Sequence, residues 1–141
     1  MNASINHGLT VSVLINSPIT KVWQCFSDPA HITAWCFATP EWHAPYAEND
    51  LRVGGSFKTT MAAKDGSMQF DFGGLYTAVE EHSLQAYTMG DGRRVRVTFE
   101  TEGNQVRVTE VFEPESQNPH DMQVAGWQAI LNNFKSYVET F

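Results

Sequence analysis

His43 has the setting in this chain that most suggests chemistry. It follows Trp42 and precedes Pro45, with Glu41 close by. An imidazole titrates near neutral pH and can act as a general base beside a carboxylate. The plainer reading is a histidine on a surface loop. Tyr76, in a strand-like segment, is a second polar candidate. His31 falls in a short helix, where a surface role is expected. No two of the five histidines have the i, i+4 spacing of a helical metal site, and no second ligand motif lies near them. There is no GxSxG, no phosphate-cradling glycine loop and no dinucleotide fingerprint. No metal and no cofactor are expected.

The second chemical signal is the supply of rings, 12% of the chain. Trp35, Phe37, His43, Phe57, Met61, Phe70, Phe72, Met89 and Trp127 are the candidates to line an apolar cavity. Ligand pockets are mostly apolar with a few placed polar groups. Along a strand, side chains alternate in direction, so Phe70 and Phe72 share a face, as do Phe57 and Met61. Asp71 points the other way, toward solvent. The competing reading is that these rings simply fill a core.

The elements that position them follow from hydrophobic period. Leu9, Val11, Val13 and Ile15 alternate with other residues, which predicts a strand with one buried face. Ser17-Pro18 and Asp28-Pro29 each read as a cap followed by a helix-opening proline, predicting short helices to about Ser27 and about Trp35. Residues 37 to 50 read as irregular, because Pro40 and Pro45 forbid a helix or a central strand. From Ser56 onward, strands alternate with glycine turns. These are 56–63, 68–79 with Gly73-Gly74 as a bulge or bend, 84–89, 93–101 and 105–112, an antiparallel meander. After a polar linker at 114–119, apolar residues from Trp127 to Phe141 recur at spacings of three and four. They predict one helix from about His120 to Thr140, about 30 Å long. It is the only element long enough to cover the sheet's apolar face. A bent sheet gripping a straight helix leaves a space between them. The fold class is therefore α+β of helix-grip type, in a single domain over 1–141.

Bulk properties narrow the function. With 9 basic and 16 acidic residues the net charge is −7, which disfavours nucleic acid and anionic membrane surfaces. The one basic run is Arg93-Arg94-Val95-Arg96, read as a solvated strand face. The two cysteines, Cys25 and Cys36, read as small buried hydrophobes. The first residues, MNASINHGL, show neither the charged nor the apolar region of a secretory leader. No apolar run reaches the roughly 18 residues a membrane span needs. The expected location is the cytoplasm.

Three stretches carry a family resemblance. They are SPITKVWQCFSDPAHITAW, DLRVGGSFKTTMAAKDGSMQFDFGGLYTAVEEH with its D-x-R-x-G-G-x-F opening, and GWQAILNNFKSYVE. In this order they resemble the START-like (SRPBCC, birch-pollen-allergen-like) superfamily. Within it, they are most similar to domains related to the C-terminal half of the activator of the ninety-kilodalton heat-shock chaperone ATPase. Where relatives commonly carry proline after the long strand, this chain has His82. The resemblance implies the helix-grip fold. It also implies one of three functions: a carrier of a small hydrophobic ligand, an enzyme of the cyclase, dehydratase or hydrolase sort using a cavity His or Tyr, or a chaperone- or stress-related interaction module. The leading expectation is the carrier, as a monomer or homodimer.

Overall fold

A computed structural model describes Ile5 and residues 8–141. The reading of the first residues as lacking a leader falls mainly on positions outside these. The elements run β1 (Leu9–Ile15), α1 (Ile19–Ser27), α2 (Pro29–Trp35), β2 (Trp42–Asn49), β3 (Ser56–Ala63), β4 (Gln69–Glu80), β5 (Leu84–Met89), β6 (Arg94–Glu102), β7 (Gln105–Phe112) and α3 (His120–Thr140). All seven strands join one antiparallel sheet in the order β1-β7-β6-β5-β4-β3-β2. The sheet curls around α3, which packs on β1, while α2 packs on β2. This is the helix-grip arrangement expected from the order of elements.

Two segments differ from the sequence reading. Residues 42–49, expected to be irregular, form strand β2. Proline is tolerated there because β2 is the edge of the sheet, and the ladder breaks between His43 and Tyr46, around Pro45. Ser17 does not cap α1. The helix opens after Pro18 without a side-chain cap, and Ser17 turns inward, its amide donating to the Ile15 carbonyl at 3.0 Å. Asp28 does cap α2, its Oδ1 accepting from the Ala30 amide at 2.9 Å.

The glycine pair of β4 serves close approach rather than a bulge. A Cβ on Gly73 would strike the Phe57 carbonyl oxygen of β3, and one on Gly74 the Thr88 carbonyl oxygen of β5. The register shift lies just beyond, between Tyr76 and Ala78. A glycine pair in the middle of a twelve-residue strand lets both neighbours approach as the sheet coils.

The inner space is filled along half its length. Leu131, Phe134 and Val138 of α3 are fully buried. Phe134 meets Phe26 at 5.2 Å and Trp35 at 4.7 Å between ring centroids, and Phe26 also meets Phe99 at 5.3 Å. The Trp35 indole donates to the Cys25 carbonyl at 2.9 Å, and Asn133 Nδ2 to the Trp35 carbonyl at 2.9 Å. These bonds fix α2 between α1 and α3. The N-terminal half of α3 is different, for Trp127 and Ile130 are only half-buried and border open space.

Candidate functional site

Between the N-terminal half of α3 and the concave face of the sheet lies a cavity of about 310 Å³. That is at the lower end of the usual range for ligand pockets. Of the sequence candidates, Phe57 and Met61 reach it from β3, Phe70 and Phe72 from β4, and Met89 from β5. Trp35 borders it from α2 and Trp127 from α3. The register explains why the sheet rings meet: Phe57 pairs with Gly74, Thr59 with Phe72 and Met61 with Phe70, so their side chains fall on one face. Phe57 lies 4.7 Å from Tyr87 and 5.7 Å from Phe72 between centroids, and Trp127 lies 5.9 Å from Phe72.

Two candidates lie elsewhere. Phe37 packs half-buried at the margin of the core, outside the cavity lining. His43 sits exposed on the edge strand β2 and does not border the cavity. The expected capping loop is a strand here, and it turns His43 outward while Ala44 is buried. Tyr76 does border the cavity, its hydroxyl donating to Asn49 Oδ1 at 2.7 Å. Burial pushes that hydroxyl above the ordinary tyrosine range, so it stays protonated and acts as a donor rather than a base.

The cavity's own carboxyl is Glu110, which sequence reasoning passed over. On β7, Val106, Val108, Glu110 and Phe112 all face inward, and only Glu110 breaks the apolar row. A one-residue slip would expose three large apolar side chains, so the register forces the carboxyl inside. The signal was present in the sequence as a charge at an apolar position of a period-two strand. Burial pushes the Glu110 carboxyl up to about 8. Among the described residues neither it nor the Tyr87 hydroxyl finds a side-chain hydrogen-bond partner. Yet neither is sealed in, since no fully enclosed polar side-chain atom of the described residues lacks a partner. Their polar atoms therefore face the cavity.

Around this carboxyl the other polar groups are neutral. Burial first and the Glu110 charge second push the Cys36 thiol up to about 12. Burial, then Glu110, Tyr76 and Cys36, push Tyr87 well above its ordinary value. Gln85 is tied down by donating to the Ser27 hydroxyl at 2.8 Å.

The opposite end of the cavity is its rim, formed by Phe70, Arg93, Glu115 and Asn118. Gln123 closes the rim onto α3. Its Oε1 accepts from the Glu115 amide at 2.9 Å, and its Nε2 donates to the Glu115 and Asn118 carbonyls at 3.1 and 2.8 Å. Arg93 Nε donates to Asp91 Oδ2 at 2.7 Å, which keeps its charge occupied at the surface. Among the described residues no three His, Cys, Asp or Glu side chains gather as a metal site, and no helix is long and apolar enough to cross a membrane.

The chain is similar to several solved structures. The solution structure of an AHSA1-like protein from Aeromonas hydrophila is 42% identical, with 94% of this chain and 93% of that chain covered at a TM-score of 0.86. A protein from Cytophaga hutchinsonii is 54% identical, covering 96% and 94% of the two chains at a TM-score of 0.82. A protein from Chromobacterium violaceum, 22% identical with 95% and 99% covered, shares the fold at a TM-score of 0.84. No curated protein matches the chain significantly. The family described as activator of Hsp90 ATPase homolog 1-like protein matches residues 16–139. With that match running from α1 through strands β2 to β7 and nearly all of α3, this chain belongs to the AHSA1 family of the START-like superfamily.

Proposed function

We propose that the protein binds a small, largely apolar molecule in the cavity between the sheet and the N-terminal half of α3, and that it does so in the cytoplasm. The observation that carries this reading is the division of α3. The helix is packed solidly by Leu131, Phe134 and Val138 at one end, and Trp127 and Ile130 border a ring-walled space at the other. A domain that needed only stability gains by filling such a space, since voids cost packing energy. The exposed ring of Phe70 at the rim gives an incoming apolar molecule a first contact. The two free, buried cysteines suit a reducing compartment.

The test is titration with N-phenyl-1-naphthylamine, an apolar fluorescent probe. Saturable one-to-one enhancement is expected, together with its loss in Ile130→Trp, which fills the space from α3 without touching the packed half. Linear, unsaturable fluorescence in the wild-type protein would overturn the reading.

A further inference from the structure

We propose that the cavity selects apolar molecules carrying one ammonium group, and that Glu110 is the anchor for that charge. The proposal deepens the ligand-binding reading and rests on it. It starts from a carboxyl only 9% exposed, set on a strand paired on both sides, facing the space and lacking a protein partner among the described residues. A buried carboxyl without a partner is costly to retain by chance.

The surroundings decide what would satisfy it. From β5 it faces Tyr87 and from the end of α2 Cys36, while Tyr76 borders the same cavity from β4, all protonated and uncharged. From α3 the space is bordered by Trp127 and Ile130, which do not titrate, and by Gln123, already bonded to the linker. The charged groups at the cavity are Arg93 and Glu115 on the rim, and Arg93 is held by Asp91. Among the described residues no cation is therefore placed to pair with Glu110, and a ligand cation would be. The walls agree, because Phe57, Phe72, Tyr87 and Trp127 surround the space with rings whose faces attract an ammonium. An alcohol would bond to the carboxyl but gain nothing from that field. A ligand carboxylate gains no such attraction, because ring faces repel an anion and it would compete with Glu110 for a single proton.

Proton balance gives a signature. The ammonium arrives already charged, and no covalent bond forms or breaks. The empty site holds its carboxyl largely protonated at neutral pH, because burial raises it to about 8. Pairing with the ammonium favours the ionised form, so the carboxyl proton passes to solvent as the ligand enters.

The experiment is calorimetry of the wild-type protein with three probes of equal shape: 4-phenylbutylamine, 4-phenylbutan-1-ol and 4-phenylbutanoic acid. The amine should bind about tenfold more tightly than the alcohol, as a charge-assisted bond exceeds a neutral one. Its heat in buffers of different ionisation enthalpy should report release of about one proton per ligand at pH 7. Glu110→Gln should bring the amine down to the alcohol's affinity. If amine and alcohol bind the wild type equally, or the acid binds best, the ammonium assignment falls while the ligand-binding reading stands. If none of the three binds while N-phenyl-1-naphthylamine does, the ammonium assignment alone falls; if that probe fails too, both readings fall. The comparison within the wild-type protein decides the matter even if the Gln variant does not fold.

Discussion

Trp127 of α3 lies face to face on Phe112 of β7, ring centroids 4.0 Å apart and planes 6° from parallel. The same indole meets Phe72 of β4 edge-on at 5.9 Å. One residue thus spans the cavity from the sheet's β7 side to its β4 side and holds the open half of α3 at a fixed height. Trp127→Ala should lower stability by about 2–4 kcal/mol, from lost ring burial and stacking. Urea unfolding measures this. A loss below about 0.5 kcal/mol, the scale of an ordinary surface change, would mean that α3 is held elsewhere.

Glu110 gives the protein a pH dependence of definite sign. Its carboxyl titrates near 8 when folded, against an ordinary value of 4.5. Between those two values the folded state keeps a proton that the unfolded chain has released. Stability therefore falls as pH rises through the window, by up to about 1.4 kcal/mol per pH unit, and levels off above the folded value. Tyr87, Tyr76 and Cys36 stay protonated across this window and add no slope. Urea melts at several pH values should show the decline in the wild type and a flatter profile in Glu110→Gln. Identical slopes would rule out a buried neutral carboxyl.

The coil of β4 depends on what its glycines lack. Gly73→Ala puts a methyl against the Phe57 carbonyl oxygen and should cost about 1–3 kcal/mol, as overpacking does. Gly90, in the β5–β6 turn, has nothing within 4 Å of the same added atom. Gly90→Ala should change stability by no more than about 0.5 kcal/mol. Thermal melts of the pair distinguish close strand packing from a general intolerance of substitution. Equal losses would contradict the steric account.

His43 and Cys36 should behave oppositely to what their residue types suggest. His43→Ala should leave N-phenyl-1-naphthylamine affinity within about twofold, because an exposed residue of the edge strand removes no cavity contact. Cys36, whose thiol is buried and pushed up to about 12, should resist alkylation by iodoacetamide until the protein unfolds. A large loss of probe binding in the first case, or rapid labelling of the native protein in the second, would show a conformation other than the one described.

The fold was legible because period and punctuation agreed along most of the chain. The β5–β6 and β6–β7 turns are marked by Gly92 and Gly103, both at positive φ. α3 runs over the 21 residues that its apolar spacing indicated. The segment 42–49 was misread because Pro45 says where a strand cannot be central, and nothing local says that an edge position is free. His82 shows the converse. Its φ of 67° lies where proline's ring cannot go, so this turn differs from one built on proline in a way no propensity scale reports. At the site, the rings were found by strand alternation, which fixes faces. Glu110 carries no motif, and a single glutamate in a strand is ordinary when it sits on the solvent face. The informative oddity was a carboxylate inside the row Val106, Val108, Phe112.

The interruption of β2 around Pro45 also bears on how the molecule behaves in crowded solution. An uncovered outermost strand offers free backbone groups on which a second molecule can dock and extend the ladder. Here that margin loses an amide at Pro45 and shifts register between His43 and Tyr46, which leaves no long flat template. The same defect that hides the strand from a sequence reading thus blunts this one of the sheet's two edges against extension of the ladder.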